Sequence, residues 1–157
     1  MNGYDQAREM SKTSWKDGVI VTDSGDLIAR PQMTFGELRT SRLGASAKIE
    51  ESSPGYPRIV IMPVLISGYE CCVSVGFDHD RLDRAVVVVT DDTAKRFSFV
   101  TGFASTPEGP EVKFLEEWVC REVGTKPPVN FAWGGIGEVW DSKAGWARII
   151  FVYGTRR

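Results

Sequence analysis

The sequence predicts an α+β fold: a mainly antiparallel, twisted sheet of about 6–8 strands with two helices packed against it. Three observations lead there. Short runs with β-type patterning recur from residue 15 to residue 103. The last third, residues 107–153, reads as a capped amphipathic helix followed by a glycine-rich hairpin carrying Trp133, Trp140 and Trp146. The 16 glycines suit turns, bulges and hairpins better than a helical bundle.

Residues 15–29 form a first hairpin, with 19–21 and 27–29 flanking the tight-turn residues Asp23-Ser24-Gly25-Asp26. Thr34-Phe35-Gly36-Glu37 matches a capping box, so a short helix follows, with Phe35 and Leu38 inward and Gly44 as its stop. Strands are expected at 45–50, at 58–66 with Pro63 marking an edge or a bulge, at 70–77 by strict alternation, and at 82–90. The last of these is a β-branched run expected to lie centrally. Residues 77–82 make the hairpin between the third and fourth, and 94–103 give a fifth strand. Ser105-Thr106-Pro107-Glu108 has the residues of a helix start. Val112, Leu115, Trp118, Val119 and Val123 carry the apolar face, and Gly124 ends the helix. The final hairpin pairs 135–140 with 146–153 across a turn at 141–145.

With 157 residues the chain is long enough for one self-supporting core. Residues 1–14 read as a flexible polar tail, with Met10 as an alternative start, and 15–157 as a single domain. Hydrophobic residues make up 42% and charged residues 25%, ordinary values for a globular protein. The net charge of −2 comes from scattered acids and bases, and the basic face of a nucleic-acid binder is missing. The sequence contains no apolar run of transmembrane length, no basic membrane-surface helix and no secretory leader pattern. Three cysteines, two of them adjacent, make a poor disulfide framework and point to reduced thiols in a cytoplasm.

No cluster of residue types spells out a reaction. His79, the single histidine, sits in Asp78-His79-Asp80 and reads first as part of a solvated hairpin turn, then as a general base. One histidine excludes histidine-rich zinc sites. Cys71 and Cys72 point to opposite faces of a strand and read as packing. Asp78, Asp80 and Asp83 fail the calcium-loop pattern, because the fifth and sixth positions are Leu82 and Asp83. Trp133-Gly134-Gly135-Ile136-Gly137 lacks the Lys-Ser/Thr pair of a phosphate loop, so its glycines signal close backbone approach. No cofactor and no metal is expected. Two acidic segments stand out. Residues 78–92 hold five acids against Arg81 and Arg84, and residues 105–123 hold five against Lys113 and Arg121, a net of −3 each. Set side by side, they would form an acidic face able to steer a basic partner.

The succession of elements carries a resemblance. A Thr34-Phe35-x-Glu37-Leu38 helix start precedes a small-residue break over 41–47. A strand ending in Phe77, a charged turn and Leu82 follow. Then come a helix with Trp118 and Gly124, Trp133-Gly134, Asp141-Ser142-Lys143 and a strand ending in Tyr153. Over residues 33–153 this resembles the small single-domain bacterial immunity proteins encoded beside polymorphic toxins. The resemblance implies a cytoplasmic protein that binds a cognate toxin, often over its active site, with no catalytic residues of its own. Many such proteins are more acidic than −2, which speaks against a highly basic nuclease as target. From charge and turn position, the expected contacts with the protein partner are Asp78, Asp80, Asp83, Glu116, Glu117 and Trp140. Two other readings stay open. One is a small enzyme or ligand-binding domain using His79 with Asp78 or Asp80, and Cys72 as a further candidate. The other is a secretion chaperone, which would hold an unfolded client.

Overall fold

The chain lays down a hairpin and two short helices, then a meander of long strands, then one long helix, and returns its last strand into the middle of the sheet. A computed structural model describes residues 14–90 and 106–154. A single 3-10 turn, Trp15–Asp17, leads into β1 (Ile20–Val21) and β2 (Leu27–Ala29), which pair antiparallel. Helices α1 (Phe35–Arg39) and α2 (Arg42–Ala45) follow, then β3 (Lys48–Ser53), β4 (Tyr56–Ile66), β5 (Tyr69–Asp78) and β6 (Arg81–Val89). Helix α3 (Pro110–Val123) precedes β7 (Val129–Phe131), β8 (Gly134–Ile136), β9 (Trp140–Asp141), β10 (Trp146–Ala147) and β11 (Ile149–Tyr153).

Among the described residues, seven strands form one antiparallel sheet in the order β3-β4-β5-β6-β11-β8-β7, while β1–β2 and β9–β10 are separate two-stranded ribbons. The α+β class with a mainly antiparallel sheet is therefore what the chain adopts. β6 is the fourth of seven strands, central as its β-branched run requires. Each meander link has two residues. In Ser67-Gly68 both have positive φ, 52° and 82°, as a type I′ turn demands. The carboxylate of Asp23 accepts from both of these turn amides at 2.8 and 2.9 Å, tying the first hairpin to the sheet.

Two bulges set which side chains reach the core. In β4 the register shifts between Ile61 and Val64. One extra residue reverses the inward phase. Ile59, Ile61, Val64 and Ile66 are all buried, and Met62 and Leu65 turn outward at 64% and 52% exposure. Pro63 sits in this bulge, where a missing N–H is tolerated, and β4 is an interior strand rather than an edge. The second bulge lies opposite Gly76 and Phe77, and Asp83 is the extra residue between Leu82 and Arg84.

Every helix among the described residues packs on one face of the sheet. Trp15 lies 5.1 Å from Trp118 of α3 and 5.2 Å from Phe151 of β11, ring centre to ring centre. Tyr69 of β5 meets Phe114 and Trp118 at 5.0 Å each, and Phe35 of α1 meets Phe77 at 5.5 Å. The other face carries Arg58, Cys72, Ser74, Arg84, Val86 and Val152, exposed or half-buried.

Several boundaries differ from the sequence reading. The Thr34 capping box forms with both hydrogen bonds, but α1 ends at Thr40 and a second helix begins under its own Ser41 cap. Gly44 is thus not a stop: it lies inside α2, where an added Cβ would come within 1.7 Å of the Leu38 carbonyl oxygen. α3 starts at Pro110 with Gly109 as N-cap rather than at Ser105-Thr106, and it ends as expected at a left-handed Gly124, φ 85°. The expected inward residues of α3 are all buried. The single final hairpin is split: β8 pairs with β11, and β9 with β10. β7 was not foreseen. The expected strand at 94–103 and all of the expected tail 1–14 except Ser14 lie outside the described residues.

Candidate functional site

Three loops meet at one end of the sheet. The β5–β6 turn places Asp78, His79 and Asp80 in solvent. The amide of His79 donates to the Gly55 carbonyl of the β3–β4 turn at 2.6 Å, and the Gly55 amide donates to the Glu51 carboxylate at 3.1 Å. On the other side, the Phe35 amide donates to the Asp80 carbonyl at 3.0 Å and the Leu82 amide to the Met33 carbonyl at 3.1 Å. Thr34 and Arg81 form an isolated antiparallel bridge. Backbone bonds therefore lock the turn from both flanks. Two non-glycine residues here have left-handed backbones, Gln32 at φ 66° and His79 at φ 58°. Such strain persists only where surrounding structure holds it. Between them lies a shallow concavity of about 510 Å³ walled by Gln32, Thr34, Asp78, His79, Asp80 and Arg81.

The chemistry of this end is acidic. Asp78 and Asp80 are exposed beside Arg81, and Glu51 is tied to the turn through Gly55. His79 Nδ1 lies 2.8 Å from Asp78 Oδ1. Among the described residues no three His, Cys, Asp or Glu side chains stand together as metal ligands do. Cys72 is seven residues from His79 along β5, about 23 Å at 3.3 Å per residue. Burial pushes the Cys72 thiol up from its ordinary pKa, with Arg58 opposing and Glu50 assisting. It stays protonated and is a poor nucleophile. Cys71, on the opposite face, is fully buried.

The remaining expected contacts do not join this surface. Asp83, the bulge residue, accepts from the hydroxyl of Tyr56 and from Arg84 Nε at 3.1 Å. Glu116 and Glu117 lie on α3, whose Phe114 and Trp118 rest on Tyr69 at the far end of β5. Nine residue steps of β5 separate Tyr69 from Asp78, about 30 Å. The two acidic segments therefore do not form one continuous face through Asp78 and Asp80. Asp91 and Asp92 lie outside the described residues. Trp140 is half-buried against the core edge, and Trp146 is the more exposed tryptophan of that ribbon, at 38%.

A second cluster escaped the sequence reading. Register aligns Glu50, Arg58, Gly76, Arg84 and Val152 in one row across β3, β4, β5, β6 and β11 on the face opposite the described helices. Arg58 pairs with Glu50, which also holds Lys48 at 3.1 Å. These two cations hold the Glu50 carboxyl below its usual range, Arg58 first. Tyr56 leans over Gly76, and burial first, then its bond to Asp83, pushes its hydroxyl up to about 12. The signal available in the sequence was the polar outward phase of β5, Glu70, Cys72, Ser74 and Gly76. Which residues meet across strands depended on the bulge at Asp83.

Comparison with known protein families, with curated proteins and with solved structures gave no match. No helix among the described residues is long and apolar enough to cross a membrane.

Proposed function

We propose that this chain is a protein-binding module that acts as an immunity protein in the bacterial cytoplasm, neutralising a toxin by direct binding. The observation that supports this most is the locked loop end. Its acids are exposed, while its backbone is fixed on both flanks by the bonds of His79, Phe35 and Leu82. A surface ordered before contact loses little entropy on binding. Its charge favours a partner with a basic patch and raises the rate of encounter. Asp78 and Asp80 are the contacts at the centre of this reading. Asp83, Glu116, Glu117 and Trp140 would serve a partner only through other faces. The enzyme reading keeps His79 with Asp78 and loses Cys72, which lies far along β5, and nothing favours a chaperone.

The test is to mix the protein with the product of its neighbouring gene and measure binding by calorimetry and stopped flow. A complex is expected, together with rescue of growth when both are co-expressed. Asp78→Lys with Asp80→Lys should weaken it by about ten-fold or more, mainly through the association rate and less at high salt. No complex at micromolar concentration removes that partner. A complex untouched by the double reversal moves the contact away from the loop end.

A further inference from the structure

We propose that the hollow between Arg58 and Arg84, on the sheet face opposite the described helices, is a binding site for a small molecule bearing an oxyanion, a carboxylate or a phosphate. The row register puts one guanidinium on β4 and one on β6, flanking a glycine on β5. Gly76 lets the Tyr56 ring lie close over the floor: a Cβ there would stand 3.1 Å from Tyr56 Cε1 and 3.5 Å from Arg84 Cγ. The resulting hollow, about 430 Å³, is lined by Ser53, Tyr56, Arg58, Ser74, Gly76 and Arg84 among others. That volume suits a small ligand.

Donors outnumber acceptors there. A guanidinium offers five N–H groups. Arg58 gives one Nη to Glu50, while its Nε is buried with no partner. Arg84 gives Nε to Asp83 at 3.1 Å and also bonds the Tyr56 hydroxyl. The hydroxyls of Ser74 and Ser53 line the same hollow. Charge points the same way. Lys48, Arg58 and Arg84 face only Glu50 and Asp83 in this cluster, so one positive charge is left over. Buried donors in native proteins nearly always find an acceptor. The paired geometry of guanidinium N–H groups matches carboxylate and phosphate oxygens. The site uses residues distinct from Asp78 and Asp80, so it stands or falls separately from the toxin-binding reading.

The experiment is an amide NMR titration of the full chain at low ionic strength with inorganic phosphate, and separately with succinate. Tetramethylammonium chloride at matched ionic strength is the control. Saturable shifts at Ser74, Gly76 and Arg84 with either anion, and none with the control salt, are expected. Response to phosphate alone or to succinate alone supports the site and names its group. Arg84→Gln should raise the apparent Kd by about ten-fold or more, whereas Arg39→Gln, on the exposed side of α1, should not. If Arg84→Gln loses its dispersed spectrum, Arg58→Gln replaces it with the same expectation. Shifts that fail to saturate by about 50 mM, that follow surface arginines generally, or that persist unchanged in the arginine variants overturn the proposal.

Discussion

Two glycines eight positions apart show how little residue type decides alone. Gly36 lies inside α1 with nothing within 4 Å of a would-be Cβ. Gly44 lies inside α2 with the Leu38 carbonyl oxygen 1.7 Å from the same point. Neither has positive φ, so both are questions of space. Gly36→Ala removes only the helix penalty of glycine and should stabilise the fold by up to about 1 kcal/mol. Gly44→Ala drives a methyl into backbone, forces α1 and α2 apart, and should cost about 2 kcal/mol or more. Urea denaturation of both variants checks the pair. Equal effects would mean the α1–α2 corner is not packed as described. The corner also explains why Gly44 read as a stop in the sequence: glycine marks a helix end and a close backbone approach equally well.

The long helix is anchored by one ring. Trp118 is fully buried and touches Trp15, Tyr69 and Phe114. Its Nε1 is buried without a partner. Trp118→Ala leaves a cavity and should cost about 3–5 kcal/mol. Trp118→Phe keeps most ring contacts and removes the orphan donor, so its cost in chemical denaturation should be clearly smaller. Equal losses would show that the polar atom is satisfied or the ring is loosely held. The inward face of α3 was legible because helical spacing is local. Its start was not, because Pro107 and Pro110 both suit a first turn and Gly109, not a hydroxyl, takes the cap. β7 was hidden because three residues behind Pro127-Pro128 carry too little pattern, and their pairing with β8 supplies the rest. The loop-end acids were legible from turn chemistry. The hollow between Arg58 and Arg84 was not, since it exists only once the Asp83 bulge sets the register.

At the scale of the molecule, stability should follow the sheet rather than the sequence. Val87 and Ile149 are 62 positions apart and directly paired, so the last strand closes the centre of the sheet. β5, β6 and β11 each have neighbours on both sides and an inward face that is buried except at Tyr69 and Val89, the strand ends. β3 and β7 are edges, and β9–β10 is a two-stranded ribbon of the marginal kind. Local opening draws on such weakly held parts, while the best-held strands exchange only by global unfolding. Native-state amide exchange should therefore put Val73, Val75, Val87 and Phe151 in the slowest group. Trp146 and Ala147, two and more positions from Ile149, should open in a faster and less denaturant-sensitive process. The discriminating comparison is across residue 148. If the β10 amides exchange with the same free energy and denaturant slope as those of β11, the ribbon belongs to the cooperative core. The sheet would then not be the unit that holds the loop end and the arginine hollow in place.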